Sequence, residues 1–401
     1  MTRCGDFASL IAPTDVASFM KRHWERAPLF VERNEPNFHQ GLFGLPDVEP
    51  AVAAAVGSPT PAVQAVRSID GVTTHRELRT DASGRTIVAS VHEAYADGHT
   101  VIVNHVNRTN VAVAGLCAEV ERVLQHPVGC NLFLTPADAC GFVPHYDAMD
   151  TFFLQIHGTK RWLVWPPVIQ LPMGERFDKP DPETLGPPLL EVDLGPGDML
   201  FLPRGWVHHG RTASSASLHL TLGVRVTRWA ELLIEQIRRA AADDSRLREA
   251  VPFGATSPLA YDAIDRQGRQ LLASVAATAD PAAIGALLDQ RIAGRPGPLT
   301  PHFAVIDGAH ELTLTTEVCR RSGLAPVVTT RDGRALLRFA GSSVTGPREA
   351  LDAFLAVAER TRFVPASLPG LPDEARIDLV RRLIHEGLLT TVDGGPPPQL
   401  S

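Results

Sequence analysis

Residues 131–165 read NLFLTPADACGFVPHYDAMDTFFLQIHGTKRWLVW, and residues 197–210 read GDMLFLPRGWVHHG. These two stretches decide the fold. Both are runs of β-branched, aromatic and aliphatic residues, the composition of short strands rather than helices. Turn chemistry breaks them at 136–141, 157–158, 195–198 and 203–205. Many short strands joined by such turns predict a mainly β architecture of the jelly-roll or cupin kind across 128–227.

The first stretch holds His145-Tyr146-Asp147. Side chains at i and i+2 of a strand share a face, so His145 and Asp147 can aim at one ion. His208 in the second stretch offers a third ligand, with His209 beside it as the competing choice. Two imidazoles and one carboxylate on one side of an ion form the facial triad of non-haem Fe(II) oxygenases. Lysine occurs only at Lys21, Lys160 and Lys179, which singles out Lys160. Residues 151–165 read as a β-hairpin turning at His157-Gly158. A two-residue loop there sets Gln155 opposite Lys160. His145, Asp147, Thr151, Gln155 and Lys160 then share the interior face. An ammonium inside a barrel needs an anionic partner, and a dicarboxylate co-substrate beside the metal supplies one.

The segments NLFLTP, PHYD, FFLQIHGTKRW, GDMLFLPRGWVHH and SLHLTLGV together resemble the cupin-fold, Jumonji-C-type Fe(II)/2-oxoglutarate oxygenases, in their ribosomal-oxygenase branch. The likeness is concentrated in 130–226. It implies a double-stranded β-helix catalytic domain using Fe(II), 2-oxoglutarate and O2. By resemblance, His145, Asp147 and His208 are the catalytic iron ligands, the P-x-G-x-x-H pattern choosing His208 over His209. Lys160 binds the distal carboxylate of 2-oxoglutarate, Asn131 lies beside the co-substrate and Thr151 lines its pocket. The implied activity is hydroxylation of a histidine or arginine side chain in a protein or peptide, as in a ribosomal protein. Two positions depart from the histidine-hydroxylating pattern: Phe133 stands where Tyr is usual and Gly223 where Ser is usual. Those departures open a variant in which the substrate is a peptide- or amino-acid-derived natural product. A metal cupin enzyme that uses no keto acid is the remaining alternative, and Lys160 and Asn131 argue against it.

The 401 residues are 44% hydrophobic and 21% charged, with a net charge of −7, which fits a globular chain of two or three domains with sizeable cores. That charge gives no basic footprint for nucleic acid. The five cysteines form no CxxC pair and read as reduced thiols, with Cys140 a small hydrophobe. With no signal peptide and no apolar run of membrane-spanning length, a cytoplasmic protein is expected.

Before the barrel, a helix over 14–26 capped by Thr14, a strand in APLFVER, a helix VEPAVAAAVG ending at Gly57, strands VQAVRSI and RTIVASV, and a helix over 107–126 are predicted. Residues 171–188 read as an exposed loop. From 228 the pattern turns helical, through TRWAELLIEQIRRAAADDSRLREAV and ADPAAIGALLDQRIAG, with GRPGPLTP at 294–301 as a linker. Residues 298–401 mix short strands with two helices, the pattern of a small winged-helix-like α+β domain, ending in a disordered DGGPPPQLS. The division is therefore 1–227 catalytic, 228–297 helical and 298–401 winged-helix-like. By resemblance the helical segment makes a homodimer. The charges of 302–401 are about balanced, so direct DNA binding is not expected. The other histidines read as structural: His157 in a turn, His219 in the core, and His92, His99 and His105 with no carboxylate or His partner at strand-ligand spacing. Trp162 and Trp165 read as barrel packing.

Overall fold

A computed structural model describes residues 6–56, 62–174, 180, 184–251, 261–279, 285, 300–321, 324, 326–331 and 333–392. The expected helix through ADPAAIGALLDQRIAG, most of the linker at 294–301, the tail and Gly57 lie outside the described residues.

The barrel strands are β1 (Leu29–Val31), β2 (Val63–Ile69), β3 (Val72–Arg76), β4 (Thr100–Val103), β5 (Val128–Thr135) and β6 (Asp150–His157). They continue with β7 (Lys160–Trp165), β8 (Leu190–Leu194), β9 (Met199–Leu202), β10 (Val207–Thr212) and β11 (Ser217–Val224). Eight of them form one antiparallel sheet in the order β1-β9-β6-β11-β5-β4-β2-β3, and three form a second in the order β10-β7-β8. This is the jelly-roll arrangement that the turn-rich stretches predicted.

Alternation along each strand divides the residues between two faces. On the large sheet's outer face Cys130, Leu132, Phe152, Leu154, Phe201, Leu220 and Leu222 bury against Phe7, Leu10, Phe19, Leu116 and Val120 of the N-terminal helices. Those helices are Phe7–Ile11, Val16–Arg22 and Val111–Leu124. The opposite face contributes Phe153, Leu200 and Leu202, which meet Trp162, Val164 and Leu194 of the small sheet. Most of the remaining inward positions are polar, and they make the site.

The expected hairpin over 151–165 does not form. β6 pairs with β9 and β11, whereas β7 pairs with β10 and β8. The chain changes sheets at Gly158, whose φ is +65° and where a Cβ would lie 1.9 Å from the Ala216 carbonyl oxygen. A glycine is required there. The crossing keeps the facing that the hairpin would have had, because Lys160 still points inward. Two smaller expectations also change. Asp15, not Thr14, caps the second helix, its Oδ1 accepting from Ser18 N at 2.9 Å. RTIVASV is not a strand: Val88–Ala96 is a helix that buries Ser90, Val91 and Ala94, a three-residue spacing that overrides β propensity in a short segment.

The chain divides into two compact units, Met1–Val226 with Pro296–Ala325 and Glu359–Ser401, and Thr227–Arg295 with Pro326–Ala358. The first adds to the barrel a small sheet of Val318–Arg320, Arg362–Phe363 and Leu389–Thr391, with a helix Asp373–His385 burying Leu379, Val380, Leu383 and Ile384. The second contains helices Trp229–Asp243 and Tyr261–Thr278 and a meander of Val327–Arg331, Arg334–Phe339 and Ser342–Gly346. Among the described residues no helix is long and apolar enough to cross a membrane.

Candidate metal centre

His145 lies on an extended segment before β6 and joins β10 through an isolated bridge to His208. The His145 amide donates to the His208 carbonyl at 3.1 Å, and the His208 amide donates back at 2.7 Å. The two imidazoles are thus tied together through the backbone, with ring centroids 4.5 Å apart. Asp147 follows two residues later, its Oδ2 3.7 Å from His208 Nε2. One ligand atom from each of His145, Asp147 and His208 lies within 4.8 Å of the others, the spacing of a metal cage, and this is the sole such cluster among the described residues.

The second ring nitrogens explain the tautomers. His145 Nδ1 sits 2.9 Å from the Val143 carbonyl oxygen and His208 Nδ1 3.1 Å from that of Trp206. A carbonyl only accepts, so each Nδ1 carries the proton and each Nε2 presents a lone pair to the cluster. Burial, reinforced by neighbouring His145, pushes the His208 pKa down to about 4. At neutral pH no proton competes with a metal for that nitrogen. His209 points elsewhere, its Nδ1 3.1 Å from the Phe142 carbonyl oxygen and its ring against Cys140 Sγ.

Lys160 is 4% exposed. Its Nζ donates to Thr135 Oγ1 at 3.1 Å and stands 5.5 Å from the Trp162 ring centroid. Trp162 in turn lies 5.9 Å, centroid to centroid, from His208. Lysine and imidazole therefore flank one indole. Among the described residues no carboxylate pairs with Nζ, and burial lowers its pKa to about 8. A buried ammonium with no carboxylate partner among the described residues, two strand positions from the indole beside His208, fits an anionic ligand on the inner face between Lys160 and the cluster.

The other expected residues face the same interior. Asn131 stands opposite Thr221, and its Oδ1 accepts from the His105 amide at 3.0 Å. Thr151, opposite Gly223, donates to the Met149 carbonyl at 3.2 Å. Gln155 is fully buried but braces the sheet crossing, its Nε2 donating to the His157 carbonyl at 2.8 Å and to Ser217 Oγ at 2.9 Å. Phe133 stacks on His219 at 4.9 Å. Burial, with Lys160 nearby, holds that imidazole well below the usual histidine range, and so neutral.

Sequence reading passed over Thr135, although the alternation that exposes Asn131 and Phe133 to the interior also exposes Thr135. It passed over Gly210, where a Cβ would come 3.0 Å from Lys160 Cε and 3.1 Å from the Trp162 ring. It also missed a buried ion pair between Asp150 and Arg204, for which no local pattern exists.

A jelly-roll double-stranded β-helix carrying a His-Asp-His cluster is a cupin-type arrangement with a candidate metal site. Residues 102–232 match the JmjC domain. The chain is 31% identical over 252 residues to the bifunctional lysine-specific demethylase and histidyl-hydroxylase NO66 of Drosophila persimilis, which covers 61% of this chain and 36% of the relative. It is 29% identical over 301 residues to ribosomal oxygenase 1 of Gallus gallus, covering 71% and 49%. The chain spans about a third to a half of the length of these curated relatives. In solved structures, the Escherichia coli ribosomal oxygenase YcfD superposes with a TM-score of 0.55 at 17% identity, over 94% of this chain and 98% of that one. The same protein in complex with cobalt and 2-oxoglutarate gives 0.55 at 16% identity, over 95% and 99%. The chain carries a JmjC domain, and it is ribosomal-oxygenase-like.

Proposed function

We propose that this protein is an Fe(II)- and 2-oxoglutarate-dependent dioxygenase that hydroxylates a side chain of a protein or peptide, of the histidine or arginine type found in ribosomal proteins. The observation that supports it most is the pairing of a buried His-Asp-His cluster with a buried lysine that has no carboxylate partner among the described residues. His145, Asp147 and His208 would hold Fe(II), a donor set suited to that ion with open positions left over. Fe(II) held there would supply, with 2-oxoglutarate and O2 as co-substrates, oxidative decarboxylation to succinate and CO2 coupled to insertion of the other oxygen atom into a C–H bond. Lys160 and Thr135 bind and orient the distal carboxylate. Asn131 and Thr151 flank the co-substrate. Phe153, Trp162 and Leu202 keep water from the reacting atoms.

Names of relatives support the substrate class: histidyl-hydroxylase and ribosomal oxygenase. A second reading, a peptide-like natural product as substrate, is favoured by the site's substrate-side chemistry. Phe133 offers no hydroxyl, and Gly223 lies under the thioether of Met149, 3.3 Å from where its Cβ would stand.

Exposed apolar side chains on Trp229–Asp243, with Trp229 77% and Leu233 60% exposed, support self-association of the 228–297 segment as a homodimer. Four free thiols among the described residues support a reducing, cytoplasmic location.

The test is anaerobic loading with Fe(II) and 2-oxoglutarate, then oxygen and succinate detection. A charge-transfer band and slow succinate formation are expected from the wild type. In Lys160→Ala, loss of a buried charge-assisted contact worth about 2–3 kcal/mol should weaken 2-oxoglutarate binding roughly 30- to 150-fold, with metal binding retained. Metallated wild type that binds no 2-oxoglutarate would overturn the reading in favour of other cupin chemistry.

A further inference from the structure

Three points of attachment join the segment that carries His145 and Asp147 to the segment that carries His208. The first is the two-way backbone bridge between His145 and His208. The second is the Gly205 amide, which donates to the Asp147 carbonyl at 2.9 Å. The third is an ion pair. Asp150 is fully buried and Arg204 is 5% exposed. The Arg204 amide donates to Asp150 Oδ1 at 3.2 Å, and its Nη1 donates to Asp150 Oδ2 at 2.8 Å. Asp150 stands three residues after Asp147, and Arg204 four residues before His208. A second carboxylate reaches Arg204 from the N-terminal region, with Glu25 Oε1 2.6 Å from the same Nη1.

Burying these charges is an expensive way to obtain stability. Desolvation consumes most of the Coulombic gain, and apolar residues of equal volume would hold the turn at least as firmly. What such a pair supplies instead is geometry. Arg204 engages both oxygens of one carboxylate, through backbone and guanidinium together, which fixes the distance and the angle between the two segments. A metal cage is sensitive to that angle, because its donors must converge within a few tenths of an ångström.

We propose that Asp150 and Arg204 are positioning residues for the His145-Asp147-His208 cluster. They clamp the end of the metal-binding frame opposite the His145–His208 bridge and so set metal affinity without touching the metal. Glu25 reaches the same guanidinium nitrogen as a second, half-exposed carboxylate and is secondary. This inference rests on the metal-site reading above.

The experiment compares Asp150→Asn, Arg204→Ala, Arg204→Lys and Glu25→Gln with the wild type. Titration with Co(II), followed by its visible d–d absorption, gives affinity and coordination geometry, and apo-protein melting gives stability. Loss of a partner that orients a ligand typically weakens metal binding about 10- to 100-fold. That range is expected for Asp150→Asn and Arg204→Ala, with an altered Co(II) spectrum. Arg204→Lys, which keeps charge without the fork, should fall between them and the wild type, and Glu25→Gln should bind Co(II) nearly as the wild type does. Variants that melt earlier but bind Co(II) with unchanged affinity and spectrum would overturn the proposal and leave the pair a stability element. If Asp150→Asn and Arg204→Ala do not fold, Arg204→Lys carries the test by the same criterion. A wild type that binds no Co(II) fails the metal-site reading itself, a distinct result.

Discussion

The two faces of β6 lie one residue apart and do different work. Outward, Phe152 packs its ring 4.7 Å from Phe201, 5.9 Å from Phe19 and 6.0 Å from Phe7, centroid to centroid. Inward, Thr151 and Gln155 are also buried, yet they face the polar interior that holds Lys160, His219 and His208. The outer face gains free energy from apolar area removed from water. The inner face loses it, since each buried polar atom must find a partner or wait for one: Gln155 Oε1, Trp162 Nε1, Thr221 Oγ1 and His219 Nδ1 are buried without hydrogen-bond partners. A pleated strand lets one sequence do both, because successive side chains never compete for the same space. Stability and chemistry should therefore separate cleanly by mutation.

The largest effect is expected from the inner face. In His208→Ala, Co(II) or Fe(II) binding and succinate formation should fall by about 10³-fold or more, since a lost ligand outweighs the 10- to 100-fold typical of a lost supporting partner. Apo-protein Tm should move by only about a few degrees. Undiminished turnover would sink the ligand assignment. The mirror experiment is Phe152→Ala. Emptying that site should cost about 3–5 kcal/mol in denaturant unfolding, while metal affinity of the folded fraction stays near wild type. A comparable loss of metal affinity would show that the two faces are coupled.

Lys160 sharpens the comparison through pH. Its folded pKa is about 8, against an ordinary 10.5, because burial disfavours the ammonium. Above pH 8 the folded protein loses this proton while the unfolded chain keeps it up to about 10.5. The unfolded state then binds more protons, so this group's contribution to stability rises with pH across that window. Affinity for a dicarboxylate moves the other way: flat below pH 8, then falling up to about tenfold per pH unit as the ammonium disappears. Lys160→Arg, with a pKa beyond reach of the titration, should flatten both trends, and equal slopes in both proteins would exclude Lys160 as the group responsible. The smallest effect is expected at Gly210. An added methyl 3.0 Å from Lys160 Cε should displace the lysine tip by a few tenths of an ångström. Gly210→Ala should raise the Kd for 2-oxoglutarate by roughly 3- to 10-fold, about 1 kcal/mol, with Co(II) affinity unchanged.

Much of the site is legible in one dimension. His145 and Asp147 sit two apart on an extended segment, and Lys160 is one of three lysines in 401 residues. Thr135 was equally legible, since it continues the inward alternation of Asn131 and Phe133, and its hydroxyl is the one atom within hydrogen-bond distance of Lys160 Nζ among the described residues. Other features were not. RTIVASV carries both an alternating and a three-residue apolar pattern, and packing of Val91 and Ala94 chose the helix. Thr14 and Asp15 both make good caps, and only the backbone geometry put the Asp15 carboxylate over Ser18.

The sequence by itself determined the strand-and-turn grammar, the inward alternation and the donor set, because each depends on neighbours a few residues away and on fixed backbone periods. Tertiary structure alone decided which strands pair. The segments on either side of Gly158 read as a hairpin and yet part into two sheets, since hydrogen-bonding partners are assigned by long-range packing. It alone brought Arg204 to Asp150 across 54 residues, a meeting that no periodicity encodes because a buried charge finds its partner through space rather than along the chain.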